Sequence, residues 1–464
     1  MSEWRTCLRV EPVWTLIDLG TDRLGRCNTD GMPGAGRVAL SIGAHGPETY
    51  ARSRMVRVSR RAWLRGPRLA IVLTLGQSVA LAITGLAAPL FGAREPFGGD
   101  WEVLVRRGSG LVDEIASNWQ RWDALWYQHI ATVGYGAKDG STAFYPLYPL
   151  LSRALSVPSG NIVRAELFLS GVASIGAAWL LWKLSRLEIL KHAQSDRIGG
   201  GLRRRAVLAP LLTVLLTVLF PTGFFLLAPY TESLFLLLTV ASFWFMRTGR
   251  LWAAGVMAFL ASLTRTQGVL LALPIAYEVI RTRGTLAWVR RRGGHSPGIV
   301  GLAALQPVAG VLAFVFYQVG FLAATRIGIG AQAPWGFAFV TPWQALAASW
   351  DDISRNLGKP LAIIEALNVL SLGVASVIAI AGVRRVPPAY SIYAISSLGL
   401  YFFRTMSFSP LMSVSRYVLV VFPCFMVAGM WFATRPRLAA AWLVISLGLQ
   451  LALYQYWVRW GFVA

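Results

Sequence analysis

The sequence predicts an all-α polytopic membrane protein, a bundle of about eleven transmembrane helices with an amphipathic helical first outward loop. Three observations predict it. Of 464 residues, 55% are hydrophobic and 14% charged, about half the charged share of a soluble domain, and the mean hydropathy is +0.54. Nineteen Trp, 23 Phe and 14 Tyr suit aromatic belts at membrane interfaces. Apolar runs of about 17 to 25 residues, enough to cross a bilayer, recur along the chain. Three cysteines exclude a disulfide scaffold.

Taken in order, residues 1–51 are Gly-rich, without a long apolar run or clear periodicity, and do not form a signal peptide. They are expected to be a disordered extension ahead of a membrane domain at 52–464, with Met55 an alternative start. The clearest spans lie near 69–92, 164–185, 299–324, 361–383, 414–433 and 437–457. Region 206–246 is interrupted at Pro221-Thr222-Gly223 and region 251–281 around Arg265-Thr266-Gln267-Gly268; each reads as two shorter helices. A short span, 388–403, follows Pro387-Pro388. Broken helices at membrane depth are tolerated where protein or a wet cavity satisfies the freed backbone groups. Both interruptions are therefore expected to line a cavity.

The formal charge of +23, from 44 Lys+Arg against 21 Asp+Glu, in a soluble domain would suggest nucleic acid. Its distribution says otherwise. Seven Arg fall between Arg52 and Arg68, and further clusters are Arg203-Arg204-Arg205, Arg247 with Arg250, Arg290-Arg291-Arg292, Arg384-Arg385, and Arg435 with Arg437. With eleven spans they all fall on one side, as the positive-inside bias requires. That assignment puts the N-terminus in the cytoplasm and the C-terminus outside. It makes 93–163 and 325–360 outward loops of a multi-pass plasma-membrane protein, and nucleic acid is not an expected partner.

The informative stretch is Asn118 to Leu151. Trp119, Trp122, Trp126, Ile130 and Val133 recur at spacings of three and four, an aromatic stripe on a helix expected to lie in the membrane plane. Asp123 sits at its edge, one turn before Tyr127. A carboxylate there is partly desolvated and faces lipid headgroups; equally, it can cap the helix or pair with Arg121. No His, Cys or carboxylate cluster has metal-ligand spacing, no nucleophile elbow is present, and no phosphate-binding loop of the GxxxxGK[ST] type occurs. Neither a metal nor another cofactor is expected. What remains is Asp123 and Glu232 at the outer face and three Arg at membrane depth, Arg265, Arg404 and Arg416. Arg at that depth is costly and functional by default, and it suits a phosphate, although a snorkelling anchor or a pair with a nearby acid also accounts for each one singly.

The run WDALWYQHIATVGYG followed by AFYPLYPLL resembles the first luminal loop of the GPI mannosyltransferase 2 (PIG-V) family and its bacterial relatives, multi-spanning glycosyltransferases of the GT-C class. The likeness continues in order through Phe220-Pro221-Thr222-Gly223-Phe224, Tyr230-Thr231-Glu232-Ser233, Leu263-Thr264-Arg265-Thr266-Gln267-Gly268, Pro334-Trp335-Gly336 with Pro342-Trp343, and Ser415-Arg416-Tyr417 leading to Phe422-Pro423. It spans roughly residues 69–457. The chain departs from the eukaryotic pattern at Trp126 and at Thr266-Gln267.

The resemblance implies a GT-C-like bundle, a polyprenyl- or dolichyl-phosphate-linked donor carrying a hexose, usually mannose, and a catalytic acid at Asp123. A lipid-linked or glycan acceptor and membrane lipids are the other expected partners. An inverting transfer from a lipid phosphate needs one base and no strong acid, because phosphate leaves as a stabilised anion. The expected roles are Asp123 as base, Arg416 and Arg404 on the phosphate, and Arg265 with Gln267 lining the cavity. Trp122, Tyr145 and Trp335 are expected to stack on sugar or lipid; Arg121, Tyr127 and Glu232 complete the substrate-contacting set. A lipid-linked sugar flippase or transporter, or a polysaccharide polymerase, is the rival class. The absence of matching interruptions in the two halves counts against a flippase.

Overall fold

Helices form along the apolar runs and stop where Pro, Gly or a charged pair interrupts them. The computed structural model describes residues 65–92, 103–195, 201–283, 301–322 and 336–463. In chain order the α-helices are α1 (Arg65–Leu86), α2 (Leu111–Ser117), α3 (Asp123–Thr132), α4 (Leu147–Ser156), α5 (Ile162–Ser195), α6 (Gly201–Val218), α7 (Glu232–Arg247) and α8 (Leu251–Ser262). They continue with α9 (Ala272–Arg283), α10 (Gln306–Gly320), α11 (Pro342–Arg355), α12 (Pro360–Gly382), α13 (Pro388–Phe402), α14 (Val414–Val418), α15 (Phe422–Phe432) and α16 (Pro436–Val458). Two short strands, β1 (Ala338–Phe339) and β2 (Arg404–Thr405), pair antiparallel with Phe339 opposite Arg404. The extension 1–51, the run Arg290-Arg291-Arg292 and Trp335 lie outside the described residues.

This is an all-α membrane protein. Among the described residues, four helices are long and apolar enough to cross a membrane: Arg68–Leu86 in α1, Ile162–Lys191 in α5, α12 and α16. The other apolar helices, in α6, α8, α10 and α15, are shorter. The sequence count of about eleven is therefore not established by helix length. One expectation is corrected: the single span at 414–433 is two helices, α14 and α15, with Pro423 at the start of the second.

Both interruptions read from the sequence are present. Between α6 and α7 the chain makes a 3₁₀ turn at Gly223–Leu226, and between α8 and α9 another at Thr266–Leu271. The last carbonyls of α6 would be orphaned at the first break. Side chains of two spanning helices take them instead. Gln77 of α1 donates to the Val218 and Gly223 oxygens at 2.9 and 3.2 Å. Gln450 of α16 donates to Val218 and Phe220 at 3.0 and 2.8 Å, and Ser446 to Leu219 at 2.6 Å. Gly223 and Gly268 are required by crowding. A Cβ at the first would meet the Val218 oxygen and Gln450, and at the second the Ser262 backbone.

Around these breaks α5 packs against α7, α6, α1 and α4, while α7 packs on α8, α8 on α10, and α6 on α15. α12 packs against α11, α13, α14 and α15. The centre is aromatic: Phe224, Phe225, Tyr230, Phe235, Phe243, Tyr390, Tyr393, Phe422 and Trp457 are all fully buried.

Candidate active site

The first loop does not carry one continuous aromatic stripe. α3 starts at Asp123, because Trp122 adopts a left-handed backbone, φ 53°. A bulky residue there costs on the order of 1–3 kcal/mol and needs the surroundings to enforce it. Tyr230 does so: its hydroxyl donates to the Arg121 carbonyl at 3.0 Å and accepts the Asp123 N–H at 3.2 Å, spanning the kink. Trp122 then packs edge-on against Trp460 and Phe462. Trp119 is buried against Tyr454 and Trp457, and Val133 is exposed. The expected row of Trp at headgroup depth is thus corrected, since the kink turns Trp119 into the core.

The kink turns neighbouring side chains in opposite directions. Arg121 points away from the Asp123 side, donating to the backbone oxygens of Val458, Ser117 and Gln120 and lying over the Trp460 ring. It lines a different pocket, with Arg107 and Arg459, so its expected contact with substrate beside Asp123 is corrected. The alternative pairing of Asp123 with Arg121 is corrected too. The partner of Asp123 is Arg416, whose Nη1 donates to Oδ2 at 2.8 Å.

Asp123 faces a cavity of about 380 Å³. Its lining includes Trp122, Trp126, Tyr127, Tyr145, Glu232, Arg265, Gln267, Arg404 and Arg416. Four stretches of chain, far apart in sequence, meet here. The first loop brings Asp123, Tyr127 and Tyr145. The two breaks bring Glu232, at the first position of α7, and Arg265 with Gln267. The segment from β2 to α14 brings Arg404, in β2, and Arg416, in α14.

Four of these form one ionic network. Arg265 Nη1 donates to Glu232 Oε1 at 2.7 Å, and Arg416 Nε approaches the same oxygen at 3.1 Å while its Nη1 holds Asp123. The two carboxylates differ. The Glu232 side chain is 1% exposed and held by two guanidinium groups; the Asp123 side chain is 29% exposed, toward the cavity. Tyr417, which the sequence reading quoted without a role, organises the cations. Arg265, Arg404 and Arg416 lie 4.5, 4.8 and 5.0 Å from its ring centre, and Tyr401 stacks on it. Arg404 Nη2 also donates to the Met412 carbonyl at 2.7 Å. Three Arg against two carboxylates leave one net positive charge.

The cavity wall also holds polar atoms without partners. Trp122 Nε1, Glu232 Oε2, both amide atoms of Gln267 and Arg404 Nε are buried and make no hydrogen bond among the described residues. Each such atom costs about 1–3 kcal/mol, and their gathering at one cavity suits a ligand rich in hydroxyl and phosphate oxygens. On the loop side, burial raises the Tyr127 phenol, with Asp123 and Glu232 adding to the rise, so Tyr127 stays neutral. Burial raises Tyr145 likewise. Among the described residues no group of His, Cys, Asp and Glu is placed to hold a metal.

The loop that carries Arg404 and Arg416 is tied down by a carboxylate the sequence reading passed over. Glu365 of α12 is fully buried and accepts hydrogen bonds from Ser349 Oγ, Ser409 Oγ and Leu411 N, at 2.5, 2.5 and 3.0 Å. Asn368, one turn on, accepts from Ser415 N at 3.0 Å. Its signal was a single acid inside an apolar run.

Residues 107–286 match the family model described as mannosyltransferase (PIG-V). GPI alpha-1,6-mannosyltransferase 2 of Cricetulus griseus is 31% identical over 170 residues, and that of Rattus norvegicus 32% over 170. The Mus musculus protein is 28% identical over 163 residues. Each alignment covers 34% of this chain and 31% of the relative. The chain therefore spans about a third of the length of the curated relatives it matches. The matched stretch contains Asp123, Glu232, Arg265 and Gln267, while Arg404 and Arg416 reach the same cavity from beyond it.

Proposed function

We propose that this chain, whose residues 107–286 match the PIG-V mannosyltransferase model, transfers a hexose, mannose, from a polyprenyl-phosphate-linked donor. The acceptor is a lipid-linked or glycan hydroxyl, and the reaction takes place on the extracytoplasmic face of the plasma membrane. In this reading the helices and broken segments make up a GT-C-like bundle of about eleven crossings. The observation that carries the proposal is the cavity itself: one accessible carboxylate and three guanidinium groups in a largely apolar wall, with several unpartnered polar atoms among its lining residues.

Asp123 is the base. Glu232 is enclosed and held by Arg265 and Arg416, so it serves to fix the cations. Asp123 accepts the proton of the acceptor hydroxyl. That oxygen forms a bond to C1 of the sugar from the face opposite the phosphate, with inversion. The C1–O bond to phosphate breaks, and its electron pair stays on the phosphate oxygen. Arg404 and Arg416 meet the charge that develops there, as preorganised cations in a partly dry site should. A phosphate leaving group needs no acid, so one carboxylate suffices where most glycosidases need two. Gln267 and the Trp122 indole N–H hydrogen-bond sugar hydroxyls, Tyr145 stacks on sugar or lipid, and Tyr127 supports the floor of the cavity.

The test is transfer by the purified protein in proteoliposomes, with radiolabelled polyprenyl-phosphate-mannose and a membrane lipid extract. Labelled product that depends on Asp123 supports the reading. Movement of donor between leaflets without transfer would indicate a flippase and overturn it.

A further inference from the structure

The first turn of α11 follows directly on β1, whose Phe339 stands opposite Arg404 and lines the cavity mouth with Phe337. α11 has three faces. Ala345 and Ser349 are buried against the protein, with Ser349 bonded to Glu365 of α12. A second face carries Gln344, Asp351 and Arg355, all exposed. The third carries Trp343, Leu346, Ala347 and Trp350, spaced by three and four, and it too is exposed, Trp343 and Trp350 each at 70%. A helix that buries one edge in protein and separates its two exposed faces into charged and aromatic has the pattern of an interfacial helix.

What covers the aromatic face is indicated by its neighbour. α12 begins five residues after α11 ends, and it is one of the helices long and apolar enough to cross a membrane. Its outward residues, Ile363, Leu370, Val374, Val377 and Ile380, are exposed apolar side chains. α11 packs on α12, so a lipid-facing surface along α12 would continue onto the aromatic face of α11. We propose that α11 lies on the lipid surface beside the cavity mouth, with Trp343 and Trp350 at headgroup depth and Asp351 and Arg355 in water. The partner is the bilayer surface.

The test uses the full chain in lipid nanodiscs, with Cys7, Cys27 and Cys424 replaced by Ala and one nitroxide label attached at Ala347→Cys or Asp351→Cys. Power saturation measures collisions with oxygen, which partitions into lipid, and with a nickel chelate, which stays in water. At 347 the expected shift is toward oxygen and away from nickel; at 351 the nickel chelate should collide freely. Equal nickel collision at both positions would place the aromatic face in water. Shielding of 347 from both reagents would place it against protein, such as a second copy of this chain. Either result overturns the proposal. Neither reading depends on turnover, so it stands or falls apart from the transferase assignment.

Discussion

The helix α7 carries a buried ionic network at each end, and the two networks are built differently. At its C-terminal end, Arg247 donates through Nε and Nη2 to both oxygens of Glu188, at 2.6 and 3.0 Å. Tyr390 adds a hydrogen bond to Glu188, and Glu278 is shared between Arg247 and Arg281. Arg247 and Arg281 meet the two acids, with Lys191 near all four, and the adjoining cavity is only about 10 Å³. At its N-terminal end, Glu232 and Asp123 meet three guanidinium groups beside a cavity of about 380 Å³. Both ends suit the helix dipole, acid first and base last. The difference teaches that burial and pairing of charge do not mark a functional site. What sets the N-terminal end apart is the gathering of unpartnered atoms and room for a ligand.

The sharpest way to break the comparison is Asp123→Asn. It keeps shape and removes basicity, and loss of a positioned base costs about 10²- to 10⁴-fold. Turnover in the mannose-transfer assay should fall by that factor while thermal unfolding in detergent barely moves. Asp123→Glu should recover little, because displacing the carboxylate by about a methylene spoils the attack geometry. A variant that loses stability but keeps turnover per folded molecule would make this end structural, like the other.

The converse experiment is at the closed end. Arg247→Ala leaves Glu188 buried without its bidentate partner, which costs on the order of 3–5 kcal/mol. The expected result is a large drop in melting temperature and in yield, with turnover per folded molecule unchanged. Between the two lies Glu365→Gln, which alters the tie on the loop bearing Arg404 and Arg416 without touching the cavity. It should lower kcat as well as raise the donor KM, because Arg404 and Arg416 meet charge that develops on the leaving phosphate and Arg416 also holds Asp123. Gln267→Ala removes two unpartnered polar atoms from the wall. Loss of such a hydrogen bond to substrate, about 0.5–1.5 kcal/mol, predicts a few-fold to roughly tenfold fall in kcat/KM. Its stability should be unchanged or slightly higher, which is the opposite of what removal of a satisfied core amide would do.

Much of the site was legible before any coordinates. The Pro221–Gly223 and Arg265–Gly268 interruptions were readable because Pro, Gly and Arg inside apolar runs violate a strong rule of the bilayer interior. They do bring Glu232, Arg265 and Gln267 to one cavity. The partner of Asp123 was not legible. Arg121 is two residues away and Arg416 lies 293 residues downstream, and nothing in sequence spacing says that a left-handed Trp122 turns adjacent side chains apart. Helical periodicity failed at the same point: Trp119 and Trp122 fit the stripe only if the helix has already begun. Tyr417 and Tyr230 stand in motifs of the likeness, but nothing in the sequence gives either a role. Glu278 and Glu365 stand as acids in apolar stretches, but nothing in the sequence says what such an acid holds.

The smallest expected effect tests whether the first loop outside the cavity behaves as an ordinary surface. Asp139 lies near Trp126 and His129 but does not line the cavity. Burial alone would raise its carboxyl. The Ser141 hydroxyl and backbone N–H outweigh that, with His129 adding to them, and hold it below the usual range. A group whose folded value is depressed stabilises the fold above its unfolded value, about 3.9 for Asp. That stability is lost as the pH falls through the lower, folded value. Asp139→Asn should therefore lower the melting temperature slightly at pH 7, and the gap from the parent should close progressively below about pH 4. Turnover at pH 7 should stay within about twofold, since surface changes of this kind are worth about 0.5 kcal/mol or less. A loss of activity comparable to that of Asp123→Asn, at unchanged stability, would mean that the catalytic surface extends along the loop to Asp139, and that the boundary drawn at the cavity wall is wrong.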